Sequence, residues 1–218
     1  MIIAIDGPAG TGKGTVAKMI SERLGYTYID TGAMYRCITL KMIRKNIALD
    51  ELEKVEKLLN ETKINFETLC DKQHVFLDGE DVTELIRKQD VNEMVSPVSA
   101  IKIIRAKMVE LQRKLGEAEN VIMEGRDITT VVFPNADVKI YLDAELEVRA
   151  KRRFNELVQK GNDVTYEEIL ESIRKRDKND MEKEMGALKV ADGAVVLDTT
   201  NLTPEEVFER IKELVEKK

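Results

Sequence analysis

The apolar run IIAI at residues 2–5 leads, one residue later, into GPAGTGKGT, Gly7 to Thr15. No other stretch constrains the fold as much. Gly7, Gly12 and Lys13 fit the phosphate-loop spacing G-x-x-x-x-G-K, which works only between a strand and a helix. Its glycines let consecutive backbone N–H groups converge on phosphate oxygens. The helix that follows adds its positive end. Residues 13–24 supply that helix, with Val16, Ala17, Ile20 and Leu24 at helical spacing. Gly7, Pro8, Ala9, Gly10, Thr11, Gly12, Lys13, Gly14 and Thr15 are therefore candidate phosphate ligands. Lys13 is the candidate catalytic cation for the outer phosphates. The alternative is a glycine-rich turn that binds nothing.

Four more short apolar runs read as strands: YTYI at 26–29, VIM at 121–123, VKIYL at 138–142 and AVVL at 194–197. None alternates strictly, which predicts burial on both faces, as in a parallel sheet. Val98, Ile101, Ile104, Met108, Leu111 and Leu115 predict a helix over 97–115. Thr165 with Glu168, and Thr203 with Pro204 and Glu206, carry the capping-box pattern at the start of two further helices. Alternating strands and helices predict an α/β fold with a parallel sheet. Residues 62–95 break the rhythm. TKINFE and HVFLDGEDV read as antiparallel strands with a turn at DGED. They predict a small insertion between core segments 1–61 and 96–218.

Composition narrows the function classes. A net charge of −6 argues against a nucleic-acid partner held by general attraction, though a local basic pocket for an anion is compatible with it. The chain has no tryptophan, which also counts against a stacking platform for single strands. Cys37 and Cys70 are the only cysteines, too few for a disulfide framework or a zinc site, so a reducing compartment is expected. No run approaches the ~18 apolar residues of a membrane span, and no leader pattern opens the chain. The expectation is a soluble cytoplasmic monomer without membrane partners.

A phosphate-transferring enzyme of this size needs a second anion pocket. DTGAMYR at 30–36 offers Thr31 and Gly32 at a helix start and Arg36 as an ion-pair partner. Thr31 as a plain N-cap and Arg36 as a surface residue is the competing reading. EGRD at 124–127 stands at the end of the third strand, where α/β proteins build sites. Glu124 can hold a magnesium-bound water, Arg126 presents a planar fork for phosphate, and Asp127 can read a base or a sugar. A structural salt bridge among them is the alternative. RAKRR at 149–153 opens a basic segment in which Arg149 shares a helical face with Arg152 or Arg153. It is either a set of mobile cations that closes over a phosphoryl donor or a solvated face. Arg174, Arg176, Asp177 and Asp180 follow on the next helix, and part of that cluster can serve the acceptor. His74 lies far from these motifs and is given no catalytic role.

One departure from the general loop pattern is informative. Gly14 follows Lys13, and the hydroxyl comes at Thr15, about 100° further round the helix. Thr15 is therefore not required to hold magnesium. The GKGT ending resembles nucleoside monophosphate kinases. Together IDGPAGTGKGT, YIDTGAMYR, EGRDITTVVFPNADVKIYLDAELEVRAKRR and RKRDKND resemble bacterial cytidylate kinases through nearly the whole chain, GRDITTVVFP being the most specific part. The resemblance implies a P-loop NTPase fold with a five-stranded parallel sheet in order 2-3-1-4-5, an inserted CMP-binding subdomain at about 62–95 and a lid at about 149–165. It implies transfer of the γ-phosphoryl of ATP to CMP or dCMP with Mg²⁺, a step of pyrimidine nucleotide metabolism. Carried over by position, Gly7 to Thr15 bind ATP, and Arg36 and Arg126 hold the CMP phosphate with Thr31 nearby. Ser96 and Arg105 read cytosine with Asp127, although Ser96 also reads as an N-cap before Pro97. Arg176 and Asp180 contact the sugar, and Arg149, Arg152 and Arg153 belong to the lid. The pattern departs at Lys183, where the family has an arginine; lysine supplies no bidentate fork.

Competing readings are a small kinase for UMP, AMP or a non-nucleotide acceptor, a nucleotide-binding switch, and a nucleic-acid-binding ATPase. A regulatory GTPase is excluded by the lack of an N-K-x-D motif for guanine.

Overall fold

The computed structural model describes residues 1–69, 72–117 and 120–218. Cys70 of the cysteine reading lies outside the described residues. Along the chain run β1 (Ile2–Asp6), α1 (Lys13–Leu24), β2 (Thr27–Asp30), α2 (Thr31–Arg44), α3 (Leu52–Asn60), β3 (Ile64–Leu69), β4 (Lys72–Leu77) and β5 (Glu80–Asp81). Then come α4 (Gln89–Val98), α5 (Lys102–Leu115), β6 (Val121–Gly125), β7 (Val138–Asp143), α6 (Leu146–Gln159), α7 (Tyr166–Glu182), β8 (Val195–Asp198) and α8 (Pro204–Glu216). Two compact units result, Met1–Tyr28 with Gly116–Lys218, and Ile29–Leu115.

The first unit carries the main sheet, in order β2-β6-β1-β7-β8. Numbered within this sheet alone, that is 2-3-1-4-5, as expected. β1 pairs in parallel with β6 and β7, and β7 with β8. The central strand is apolar because it has no exposed face: Ile3 and Ile5 are completely buried against Val16, Ile20, Ile122, Ile140 and Phe208. Truncating such a residue to alanine costs about 2–5 kcal/mol. Both capping boxes form. Thr165 and Glu168 open α7, and Thr203 and Glu206 open α8 with Pro204 in its first turn.

Two expectations need correction. AVVL does not form a strand buried on both faces: β8 is hydrogen-bonded to β7 alone, and Val195 and Val196 are exposed. The helix expected over 97–115 is two helices. Val98 ends α4, Ala100 and Ile101 turn back to the carbonyls of Pro97 and Val98, and α5 starts at Lys102. Those tight i−3 bonds close a helix end.

In the second unit β3, β4 and β5 form an antiparallel sheet. The turn lies at Asp78 and Gly79, both at positive φ (52° and 89°), which a two-residue hairpin requires. The inward side chains Val75 and Leu77 pack with Ala33, Cys37, Leu40, Val82, Ile86 and Val91. His74 sits on β4 with Nδ1 2.7 Å from Asp81 Oδ2.

Candidate active site

The register of β1 on β6 sets one half of the site. Asp6 is opposite Gly125, so the phosphate loop and EGRD leave the sheet side by side at the carboxyl ends of the strands. Gly7 must be glycine. At φ 152° its added Cβ would stand 2.1 Å from the Leu142 carbonyl oxygen on β7. The loop ends at the first turn of α1, where Lys13 is 5% exposed and Thr15 is exposed.

Lys13 Nζ donates to the Pro8 carbonyl at 2.8 Å and approaches Thr11 Oγ1 at 3.5 Å. Burial, and next the Arg126 charge, push its ammonium down to about 7, against the pull of Glu124. A bound polyanion reverses that balance. Nucleotide binding near pH 8 is therefore expected to take up as much as about one proton on Lys13. Calorimetry in buffers of different ionisation enthalpy measures this. Lys13→Met should abolish it, and equal uptake by the variant would put the titrating group elsewhere.

Arg126 leaves β6 with Nε 2.8 Å from Asp180 Oδ2 on α7 and Nη1 3.2 Å from the Gly125 carbonyl. Burial opposes its charge, but Asp180, with Glu124 and Asp177 behind it, holds the guanidinium above its ordinary value. Asp180 gathers three cations. Lys183 Nζ lies 2.8 Å from Oδ1, and Arg176 Nε is 3.9 Å from Oδ2. Burial works against ionising Asp180, yet Arg126, Lys183 and Arg176 keep its carboxyl well below the usual range. Arg176 is pushed down to about 10 by burial and Arg126, so it remains a cation at neutral pH.

The basic face of α6 divides. Arg149 is buried and donates to the carbonyls of Ala144 (2.8 Å) and Ala9 (3.0 Å) and to Asp177 (2.5 Å). The Ala9 amide is 3.4 Å from the other oxygen of Asp177. Arg152 donates to the Thr199 carbonyl at 2.5 Å, and Thr199 Oγ1 reaches the Thr11 carbonyl at 3.3 Å. Arg153 pairs with Glu156 (2.7 Å) nearer the surface. Arg174 pairs with Glu171, also at the surface.

Asp6 and Tyr28 are site residues the motifs did not single out. Asp6 is fully buried and accepts from the amides of Ile128 (2.9 Å) and Thr129 (2.7 Å) and from Thr129 Oγ1 (2.6 Å). It braces the π turn Ile128–Val132 that follows Asp127. Asp127 is buried at the head of that turn, its carbonyl accepting from Val131 and Val132. A carboxylate closing a strand otherwise made of Ile and Ala was the available signal. Tyr28 donates to Glu124 Oε1 at 2.6 Å.

The other sequence-predicted residues belong to the second unit. Thr31 is buried and begins α2, but Asp30 is the N-cap and accepts from the Ala33 amide, so the plain N-cap reading of Thr31 fails. Arg36 donates to Asn92 Oδ1 and to the Ile86 carbonyl (3.2 Å). Ser96 is not an N-cap either. It lies inside α4, and its carbonyl accepts from Ser99 Oγ at 2.9 Å. Arg105 is buried, with its guanidinium 5.9 Å from the Tyr35 ring centre and Nη1 3.4 Å from the Ser99 carbonyl.

A sequence-family model described as Cytidylate kinase matches residues 3–217. The chain belongs to the cytidylate kinase family. A protein named Cytidylate kinase from Caldanaerobacter subterraneus subsp. tengcongensis is 52% identical over 215 residues, 99% of this chain and 94% of its own. One of the same name from Bacillus subtilis is 50% identical over 216 residues, 99% of this chain and 96% of its own. A solved structure of an uncharacterized protein from Eubacterium ventriosum superposes with a TM-score of 0.54 at 15% identity, covering 100% of this chain and 99% of that one. That likeness concerns the fold alone. In this cytidylate kinase Lys183 is a partner of Asp180.

Proposed function

We propose that this cytidylate kinase transfers the γ-phosphoryl group of ATP to CMP or dCMP, giving ADP and CDP or dCDP. Family membership over residues 3–217 carries the reading. The chemistry at the strand ends supports it. The acceptor phosphate, like phosphoserine with a second pKa near ~6, is already mostly a dianion at neutral pH. It needs no histidine base. The difficulty is bringing two polyanions together, which calls for preorganised cations. Lys13, Arg126 and Arg176 are such cations.

In this reading Gly7 to Thr15 hold ATP, with Lys13 on the transferring group. Arg126 and Arg36 hold the CMP phosphate beside Thr31. Ser96, Arg105 and Asp127 read cytosine. Arg176 and Asp180 meet the sugar, and Lys183 tunes Asp180. Arg149, Arg152 and Arg153 belong to a lid at about 149–165, and the insertion at about 62–95 to the acceptor side. Arg149 and Arg152 act by bracing the loop, through the Ala9 carbonyl and the Thr199 carbonyl.

Mg²⁺ fits the donor chemistry. Among the described residues no three His, Cys, Asp or Glu gather to cage a metal. Magnesium is commonly held by one or two carboxylates, water and substrate phosphates. Glu124, half-buried with Oε1 beside Gly14, is the carboxylate that would hold the ion through a bound water. When bound, magnesium neutralises charge developing on the phosphates. Among the described residues no helix is long and apolar enough to cross a membrane. A cytoplasmic monomer acting on small molecules completes the proposal, and the net charge of −6 supports the absence of a nucleic-acid partner.

A coupled ADP-release assay with CMP, dCMP, UMP, AMP and shikimate tests this. ATP consumption should be slow until CMP or dCMP is added, because closure needs both substrates. Equal consumption with and without CMP favours a switch or an ATPase.

CMP should be preferred over UMP, in part through Asp127. Cytosine presents a 4-amino donor where uracil presents an acceptor. A buried carboxylate that meets the uracil carbonyl instead of the cytosine amino group loses that hydrogen bond, at a cost of about 1–3 kcal/mol, or roughly 10- to 100-fold in kcat/KM. Asp127→Asn should narrow the CMP/UMP ratio by about tenfold, since an amide can donate to uracil. An unchanged ratio removes Asp127 from base recognition.

A further inference from the structure

Tyr28 lies on β2 beside β6, 6% exposed, and its phenol donates to Glu124 Oε1 at 2.6 Å. The same carboxylate oxygen stands 2.7 Å from where a Cβ on residue 14 would be, and the Tyr28 oxygen 3.4 Å from it. A general phosphate loop carries a metal-holding Ser or Thr hydroxyl at this position. Here the space over Gly14 is filled from the neighbouring strands, by a carboxylate and the phenol that grips it.

We propose that Tyr28 is a positioning residue of phosphoryl transfer, holding the Glu124 carboxylate over Gly14 where other phosphate loops present a hydroxyl. The inference rests on the reading of Glu124 as the metal-side carboxylate. A glutamate has three rotatable side-chain bonds and, half-buried, can swing away from the loop. An O–H···O⁻ bond of 2.6 Å is in the strong, charge-assisted range. Holding Oε1 limits the swing of the carboxylate, and with it the directions in which Oε2 can point. Tyr28 suits the task because its ring is anchored: it packs in the core cluster with Val16, Ile20 and Ile122.

Tyr28→Phe removes the donor and keeps the ring, so the fold is expected to survive. The probes are ATP binding by calorimetry in EDTA and Mn²⁺ uptake by the ATP complex, read by electron paramagnetic resonance. Outer-shell partners of metal sites typically matter by about 10–100-fold in affinity. Tyr28→Phe should weaken Mn²⁺ uptake about tenfold and leave ATP binding in EDTA within about twofold. Glu124→Gln should weaken uptake at least as much, and the double variant should be no weaker than Glu124→Gln alone. Three results overturn the proposal: a Tyr28→Phe loss equally large in EDTA, losses that multiply in the double variant, or normal uptake in Tyr28→Phe while Glu124→Gln is impaired. Normal uptake in both variants overturns the Glu124 reading itself, and the role of Tyr28 with it.

Discussion

Lys13→Ala should cut phosphoryl transfer on the order of 10²–10³-fold with little loss of fold. The ammonium is buried at the loop and meets the protein through the Pro8 carbonyl and the Thr11 hydroxyl. It is not part of the apolar cluster under α1, which is built from Val16, Ala17 and Ile20. Removing it forfeits a positioned charge on the transferring group, the kind of loss that carries that magnitude. Its cost to the apo protein is small, because a buried cation repelled by Arg126 is itself unfavourable. Thermal unfolding and steady-state turnover separate the two effects. Turnover like that of the wild type would sink the assignment of the loop.

Arg126→Lys should be nearly as damaging, about 10²-fold in kcat/KM for CMP, although the charge is kept. Arg126 divides its donors between Asp180 through Nε and the Gly125 carbonyl through Nη1. A planar fork can keep such anchors and still present N–H groups to a phosphate, whereas one ammonium must choose among them. The Asp180 carboxylate, already drawn to Lys183, would compete with the acceptor for the new lysine. A loss below about threefold would make Arg126 structural or peripheral.

The parts of the fold governed by short-range rules were legible in the chain. β1, α1 and both capping boxes follow from apolar runs, loop spacing and Thr-to-Glu separations that depend on few neighbours. Ser96 was misread for a physical reason. Ser before Pro is good N-cap grammar, but Val91 and Val95 bury a stripe that carries α4 through both residues. Val195 and Val196 misled because an edge strand and a central one share the same β-branched composition. Within the site, the motif residues were visible and their pairings were not. Asp6 on Thr129, Tyr28 on Glu124 and Arg149 on Ala9 are contacts between segments far apart in sequence. They depend on strand order and register, which no local pattern encodes.

The missing side chain at Gly14 ties together two positions that lie far apart in sequence. A serine there, as in the commoner loop pattern, meets the Glu124 oxygen at 2.7 Å, well inside contact distance. That oxygen is the free end of a flexible side chain, so it turns aside to admit the serine and leaves the Tyr28 phenol as it goes. A hydroxyl at residue 14 and a carboxylate held by Tyr28 are therefore alternative occupants of one space, and each displaces the other.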